Sequence, residues 1–252
     1  MQLVIVKGEP EFGQMAARLV CEFLAQKPES TLVFPTGNTP LSMYKELVNQ
    51  FAAGEVSFAH AALVELDDYY GIPLHDPRNL FSWLQNIFIR QVDFQPERLF
   101  RFNTEAEDAA AEAARIESIL QAHGGIDLLV LGLGPNGHIG FNEPGSETPG
   151  ATRVVNLTHE SLLSNARYWG GISNVPAQGF TLGLDVLRKA AKTILLVSGS
   201  HKAGILKQMV EGPITDLLPA TCLREMPNVL VLADAAAASL LSRKPSLFNE
   251  PD

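Results

Sequence analysis

Cysteine is scarce, basic residues are outnumbered and long apolar runs are missing in this 252-residue chain, and each shortage removes a class of protein. The two cysteines, Cys21 and Cys222, make neither a disulfide framework nor the close pairs of a metal knuckle. Cys21 falls within a helical pattern and is expected to pack. No apolar stretch approaches the roughly 18 to 20 residues that cross a bilayer. The opening Met1-Gln-Leu-Val-Ile-Val-Lys7 has no basic region ahead of its apolar residues, so it reads as a first strand and not as a signal peptide. A cytoplasmic, reducing setting is expected from these features. With 19 Lys and Arg against 28 Asp and Glu, the formal charge is −9. That argues against a nucleic-acid or anionic-membrane partner, because both require a basic face. A small anion is still allowed, if backbone N–H groups and one or two cations trap it locally.

What is present is alternation. Strand-like segments at 1–6, 30–34, 61–66, 126–131, 193–197 and 228–233 are separated by helical patterns at 11–26, 41–51, 80–92, 106–123, 161–169 and 200–210. On the first helix Phe12, Ala16, Leu19 and Phe23 share one side. Between Phe180 and Leu184, strand and turn are equally compatible with the residues. Strands separated by helices require crossovers and a parallel sheet covered on both faces. The expectation is an α/β fold with a single doubly wound, mostly parallel sheet, Rossmann-like, spanning residues 1–252 as one domain. The tail from Ser242 to Asp252 has little apolar periodicity and is expected to be loosely held.

Three segments carry groups suited to chemistry. In Thr31-Leu-Val-Phe-Pro-Thr-Gly-Asn-Thr-Pro40 a strand runs into a glycine turn, with Pro40 where a helix would begin. Free N–H groups at such a terminus suit a phosphate, and Thr36, Gly37, Asn38 and Thr39 would line it. The plainer reading is an ordinary turn with Thr39 as helix cap. In Glu65-Leu-Asp-Asp-Tyr-Tyr-Gly71, adjacent carboxylates usually mark a solvated turn. On extended chain, however, Asp67 and Asp68 point opposite ways, so one could enter a pocket while the other caps a turn. Spacing alone does not say which.

The segment Gly132-Leu-Gly-Pro-Asn-Gly-His-Ile-Gly-Phe-Asn-Glu-Pro-Gly145 is the most informative. A buried-strand pattern breaks there into a loop with Asn136, His138 and Glu143 among five glycines. This is the carboxyl edge of a sheet, where open α/β folds bind ligands. An imidazole oriented by near neighbours can move a proton near neutral pH. One His and one Glu are too few for a metal, and neither a second histidine at ligand spacing nor a G-x-S-x-G elbow occurs. Arg167 and Lys202 lie near element ends. A lysine in the first turn of a helix is poorly placed unless an anion sits there too.

Taken together, P-T-G-N-T-P-L-S-M-Y at 35–44, L-D-D-Y-Y-G at 66–71, G-L-G-P-N-G-H-I-G-F-N-E-P-G at 132–145, N-A-R-Y at 165–168, T-L-G-L at 181–184 and S-G-S-H-K-A at 198–203 resemble the glucosamine-6-phosphate deaminase (isomerising) family. The related 6-phosphogluconolactonases continue differently after the histidine, and Phe141-Asn-Glu-Pro144 favours the deaminase branch. The resemblance implies an enzyme converting a hexosamine 6-phosphate and water into a ketose 6-phosphate and ammonia, without cofactor or metal. It implies Asp67 as the base at carbon, His138 as the ring-opening proton carrier, and Asn136 and Glu143 as its orienting neighbours. Residues 36–39, Arg167 and Lys202 would hold the phosphate. Departures from the family pattern at Asn136, at Asp76-Pro-Arg-Asn-Leu80, at Leu162 and at 219–226 leave the exact sugar open, with galactosamine 6-phosphate the alternative. A lactonase and a non-catalytic phosphosugar sensor are the more distant alternatives. The sequence does not fix an oligomeric state, and a homo-oligomer remains compatible with it.

Overall fold

The computed structural model describes residues 1–146 and 150–242. The elements run β1 (Gln2–Val6), α1 (Glu9–Gln26), β2 (Thr31–Phe34), α2 (Leu41–Ala52), β3 (Ala62–Glu65), β4 (Asp67–Tyr69), α3 (Leu80–Ile87), β5 (Leu99–Phe100) and α4 (Ala109–Ala122). They continue with β6 (Leu128–Gly132), β7 (Arg153–Asn156), α5 (His159–Trp169), β8 (Gln178–Thr181), α6 (Leu184–Leu187), β9 (Lys192–Val197), α7 (Ala203–Glu211) and β10 (Val229–Asp234). Seven strands form a parallel sheet in the order β1-β10-β9-β6-β2-β3-β5. The expected doubly wound α/β architecture is therefore present. Apart from Ser242, the tail expected to be loose lies outside the described residues. No described helix is long and apolar enough to cross a membrane.

The two-residue period of the strands sorts their side chains between two cores. Leu32, Phe34, Leu128, Val130, Ile194, Leu196, Leu230 and Leu232 face one core, against Phe12, Ala16 and Val20 of α1, Met43 and Leu47 of α2, and Phe81 and Leu84 of α3. Their alternates Val33, Leu129, Leu131, Leu195, Val197, Val231 and Ala233 face the other, against Ile116 and Leu120 of α4, Leu187 of α6 and Leu206 and Met209 of α7. Both faces are covered, so the strands are nearly all apolar. Helix α1 begins with Pro10 in its first turn and Glu9 and Glu11 near its positive end. Leu19 and Phe23 lie half-buried at the margin of its packed face.

Winding direction decides where a ligand can sit. From β2 the chain steps outward to β3 and β5, then returns to β6 on the other side and steps away through β9 and β10. Neighbouring strands β2 and β6 thus have connections leaving in opposite directions, which opens a crevice beyond their carboxyl ends. The loops after β2, β3, β6 and β9 all emerge along this edge.

Several expectations are corrected. Asp67 and Asp68 do not sit in a solvated turn. They form β4, the start of a second sheet, antiparallel in the order β4-β8-β7, with Asp67 opposite Thr181 and Asp68 opposite Phe180. Residues 178–181 are accordingly strand. The helix expected over 80–92 stops at Ile87, followed by a single turn at Ile89–Gln91. The break places the fully buried Phe88 ring 5.0 Å from Tyr44 and 5.2 Å from Phe58. Aromatic packing there outweighs helical propensity. Thr39 does not cap α2, because Pro40 occupies that position.

Helices α1 and α2 approach closely at Gly13, where an added Cβ would lie 2.6 Å from Ser42 Cβ and 2.9 Å from its carbonyl carbon. Gly13→Val is expected to force the helices apart and cost about 1–3 kcal/mol, as overpacked cores do. Urea unfolding measures this, and an unchanged midpoint would show that the contact is slack.

Candidate active site

Candidate groups stand beyond four strand ends along the carboxyl edge of the sheet, those of β2, β9, β6 and β3. Beyond β2, Gly37 adopts φ +94°. None of the N–H groups of Thr36, Gly37, Asn38 and Thr39 donates to another described residue, while Leu41 N–H donates to Asn38 O. Four N–H groups without a described acceptor, ahead of a 12-residue helix, are an arrangement that suits an anion. Helix α5 reaches this loop from far along the chain. The Tyr168 hydroxyl donates to Asn38 Oδ1 at 3.0 Å and accepts from Arg167 Nη2 at 2.7 Å. Beyond β9, Lys202 Nζ donates to Leu133 O at 2.7 Å, which ties it to the loop after β6. Burial pushes the Lys202 ammonium down to about 8.

Beyond β6, the loop folds the imidazole back on itself. A Cβ on Gly134 would lie 2.3–2.4 Å from atoms of the His138 ring, so only glycine lets the ring rest there. His138 Nδ1 stands 3.3 Å from Glu143 Oε2 and 3.3 Å from Ser161 Oγ. The same Glu143 oxygen accepts from Asn136 Nδ2 at 2.9 Å and from Thr158 Oγ1 at 3.1 Å. Thr158 caps α5, so the carboxylate also sits near the positive end of that helix. Burial acts to raise the Glu143 carboxyl, but His138, Ser161 and Asn136 outweigh it and hold it down at about 2. Asn136, His138 and Glu143 are together as expected, and Thr158 and Ser161 are additions. Their visible signal is the Thr158-His-Glu-Ser161 helix start, which reads as a cap and not as chemistry. Gly132-Leu-Gly-Pro-Asn-Gly137 has the glycine spacing of a dinucleotide loop, but among the described residues no helix follows it before α5 to take a pyrophosphate.

Beyond β3, the carboxylate pair divides as alternation requires. Asp68 is fully buried and accepts from Tyr69 N at 2.7 Å, Leu80 N at 2.9 Å and Phe81 N at 3.4 Å, so it holds the start of α3. Asp67 is 7% exposed and has no hydrogen-bond partner among the described residues. Burial, then the Asp68 charge, push its carboxyl up to about 8. Thr181 links this group to the histidine loop. It lies opposite Asp67 in the antiparallel pair, and its Oγ1 accepts from Phe141 N at 3.1 Å. Gly140 makes the approach tight, since a Cβ there would meet Thr181 Oγ1 at 2.9 Å and Leu66 at 3.4 Å.

The family model for glucosamine-6-phosphate isomerases and 6-phosphogluconolactonase matches residues 10–231. The chain belongs to this family. A glucosamine-6-phosphate deaminase of Beutenbergia cavernae is 40% identical over 242 residues, 96% of this chain and 93% of that one. A solved monomeric glucosamine-6-phosphate deaminase superposes with a TM-score of 0.93 at 35% identity, covering 95% of this chain and all of the other. The 6-phosphogluconolactonase of Trypanosoma brucei covers 96% of this chain and 99% of its own with a TM-score of 0.76, but at 18% identity it shares the fold alone. Within this glucosamine-6-phosphate isomerase family fold, the described residues contain no cluster of His, Cys, Asp and Glu able to hold a metal ion.

The Asp67 carboxyl has a direct thermodynamic consequence. In the unfolded chain it ionises near the ordinary aspartate value of 3.8, and in the fold at about 8. The fold therefore loses stability progressively as pH rises between those values, and the penalty is complete above about pH 8. Asp67→Asn is expected to raise Tm by several degrees at pH 9 and by much less at pH 5. Equal shifts at both pH values would mean that Asp67 ionises normally.

Proposed function

We propose that this protein is a glucosamine-6-phosphate deaminase, converting glucosamine 6-phosphate and water into fructose 6-phosphate and ammonia. One observation carries the reading. Two carboxyl groups near one loop have opposite environments, Glu143 ionised beside His138 and Asp67 partnerless and hard to ionise. Carboxyl groups pushed apart in this way suit separate acid and base duties. The full-length relatives named for this activity support it.

In this reading Thr36, Gly37, Asn38 and Thr39 hold the phosphate through backbone N–H groups, with Arg167 and Lys202 as counter-charges. His138 takes the proton of the C1 hydroxyl and delivers it to the ring oxygen as the bond between C1 and that oxygen breaks, which opens the pyranose to the aldehyde. Glu143 stabilises the imidazolium that exists between those two transfers, and Asn136 fixes the carboxylate. Ionised Asp67 takes the proton from C2 and returns it to C1 while a proton of the amine passes to the C1 oxygen, leaving a C1 alcohol and a C2 imine. Water adds at C2, the C–N bond breaks and ammonia leaves. Anchoring the phosphate holds C1 and C2 against Asp67, which is the positional share of catalysis.

A coupled ammonia assay tests the substrate. Release from glucosamine 6-phosphate is expected; release only from galactosamine 6-phosphate, or hydrolysis of 6-phosphogluconolactone alone, would replace the reading. Asp67→Asn is expected to fold and lose about 10²–10⁴-fold in kcat, the range of a general base.

The pH dependence of kcat/KM follows from the same two groups. The Asp67 base becomes competent as pH rises through about 8, while the Lys202 cation is lost as pH rises past about 8. A narrow bell centred near pH 8 is expected. A plateau extending down to pH 5 would rule out Asp67 as the base.

A further inference from the structure

Three buried carboxyl groups fall within four residues at the end of β3: Glu65 at 4% exposure, Asp67 at 7% and Asp68 at 0%. Among the described residues none of them pairs with a Lys, Arg or His. Three charges without a counter-cation cannot be held together out of water, since each buried ion carries a desolvation cost that an unpaired group does not recover. At least one must carry a proton, and the hydrogen bonds distinguish them.

Asp68 accepts three backbone N–H groups, two from the start of α3, and that arrangement favours its anion. Glu65 accepts one, from Phe102 N at 2.8 Å to Oε2, while its Oε1 is buried with no acceptor or donor partner. Glu143 also has one orphaned oxygen, but an imidazole and two side-chain donors serve its other one. Glu65, with a single N–H donor beside two carboxylates, is better served by a proton. The groups facing it leave no other source of neutralisation. On β4 they are Asp67 and Asp68, Asp68 within hydrogen-bond reach of Glu65, and on the segment after β5 the Phe102 N–H donates to it. The nearby Glu112 accepts Asn103 N and is already paired with Arg115 at 2.7 Å. Burial and both aspartates drive the Glu65 carboxyl well above the usual range, in agreement with the geometry.

We propose that Glu65 is a positioning residue that carries a permanent proton and directs it toward Asp68, so that Asp67 faces one negative neighbour instead of two and can still be ionised. This extends the deaminase reading above, and depends on it for the kinetic outcomes only. A neutral Glu65 keeps Asp68 anionic, Asp68 keeps α3 docked, and its charge makes Asp67 a stronger base than a solvated aspartate. Nothing in the motif Glu65-Leu-Asp-Asp-Tyr-Tyr-Gly71 alone distinguishes this acid from a surface glutamate.

The test combines spectroscopy with kinetics on the full chain. Carbon-13 NMR of the glutamate carboxyl groups is expected to contain one signal that keeps its protonated position from pH 6 to 9 and vanishes in Glu65→Gln. A Glu65 signal that titrates below pH 6 overturns the proposal, whether or not the protein releases ammonia. In Glu65→Gln a neutral amide replaces a neutral acid, so the acid limb of kcat/KM is expected to stay within about 0.3 pH units, because little charge changes. A downward move of a unit or more means that Glu65 was ionised and overturns it. Glu65→Leu removes the donor to Asp68. Its kcat is expected to fall at least tenfold with KM within threefold, the acid limb moving to lower pH, and Glu65→Gln restoring both. An unchanged profile in a folded Glu65→Leu overturns the positioning role. Should Glu65→Leu fail to fold, the NMR signal and the Glu65→Gln profile still decide. Absence of ammonia from the parent protein would refute the functional reading while leaving the protonation result intact.

Discussion

Reversal of winding between β2 and β6 is the constraint on which the rest depends. Parallel strands send every connection out at the same edge, and a connection normally crosses over its neighbour. Where the chain moves outward on one side and returns on the other, two adjacent strands have nothing above them. The glycine turn after β2 and the histidine loop after β6 flank that gap. Loops that would otherwise be unrelated therefore face a common space.

The small antiparallel sheet completes the gap by joining parts of the crevice that the main sheet does not connect. Strand β4 carries Asp67 directly from the end of β3, and β8 pairs with it through Thr181, whose hydroxyl anchors the histidine loop at Phe141. The Tyr69 ring then packs 5.5 Å from Phe141 and 5.1 Å from Trp169 at the end of α5. Arg78 lies 4.2 Å over the same Trp169 ring while pairing with Asp76. The departure from the family pattern at 76–80 thus packs against the helix that bears Arg167. The segments that bear Asp67, His138 and Arg167 are thus joined through one apolar cluster.

Electrostatics in the crevice follow from who supplies hydrogen bonds. Glu143 receives several, together with an imidazole and a helix start, and remains an anion despite burial. Asp67 receives none and sits beside Asp68, so its proton is held to high pH. Lys202 is desolvated against a carbonyl and gives up its charge easily. Sequence neighbours thus acquire unlike chemistry: Asp67 and Asp68 differ because one side chain meets the N-terminus of α3 and the other does not.

Strand and helix order, the carboxyl-edge loops and the acid/base residue types were determined by the sequence itself, because they rest on local periodicity and on glycine and proline chemistry. The two-residue alternation of β2, β6, β9 and β10 and the density of Asn136, His138 and Glu143 were legible for that reason. What only the tertiary structure decided are the contacts between distant segments. Pairing of β4 with β8 turned an apparent turn into strand, and Phe88 packing ended α3 early. Tyr168 reached Asn38 across 130 positions of sequence. The proton affinities of Glu65, Asp67 and Asp68 belong to the same class, since desolvation and the direction of neighbouring N–H groups come into being only when the chain is packed.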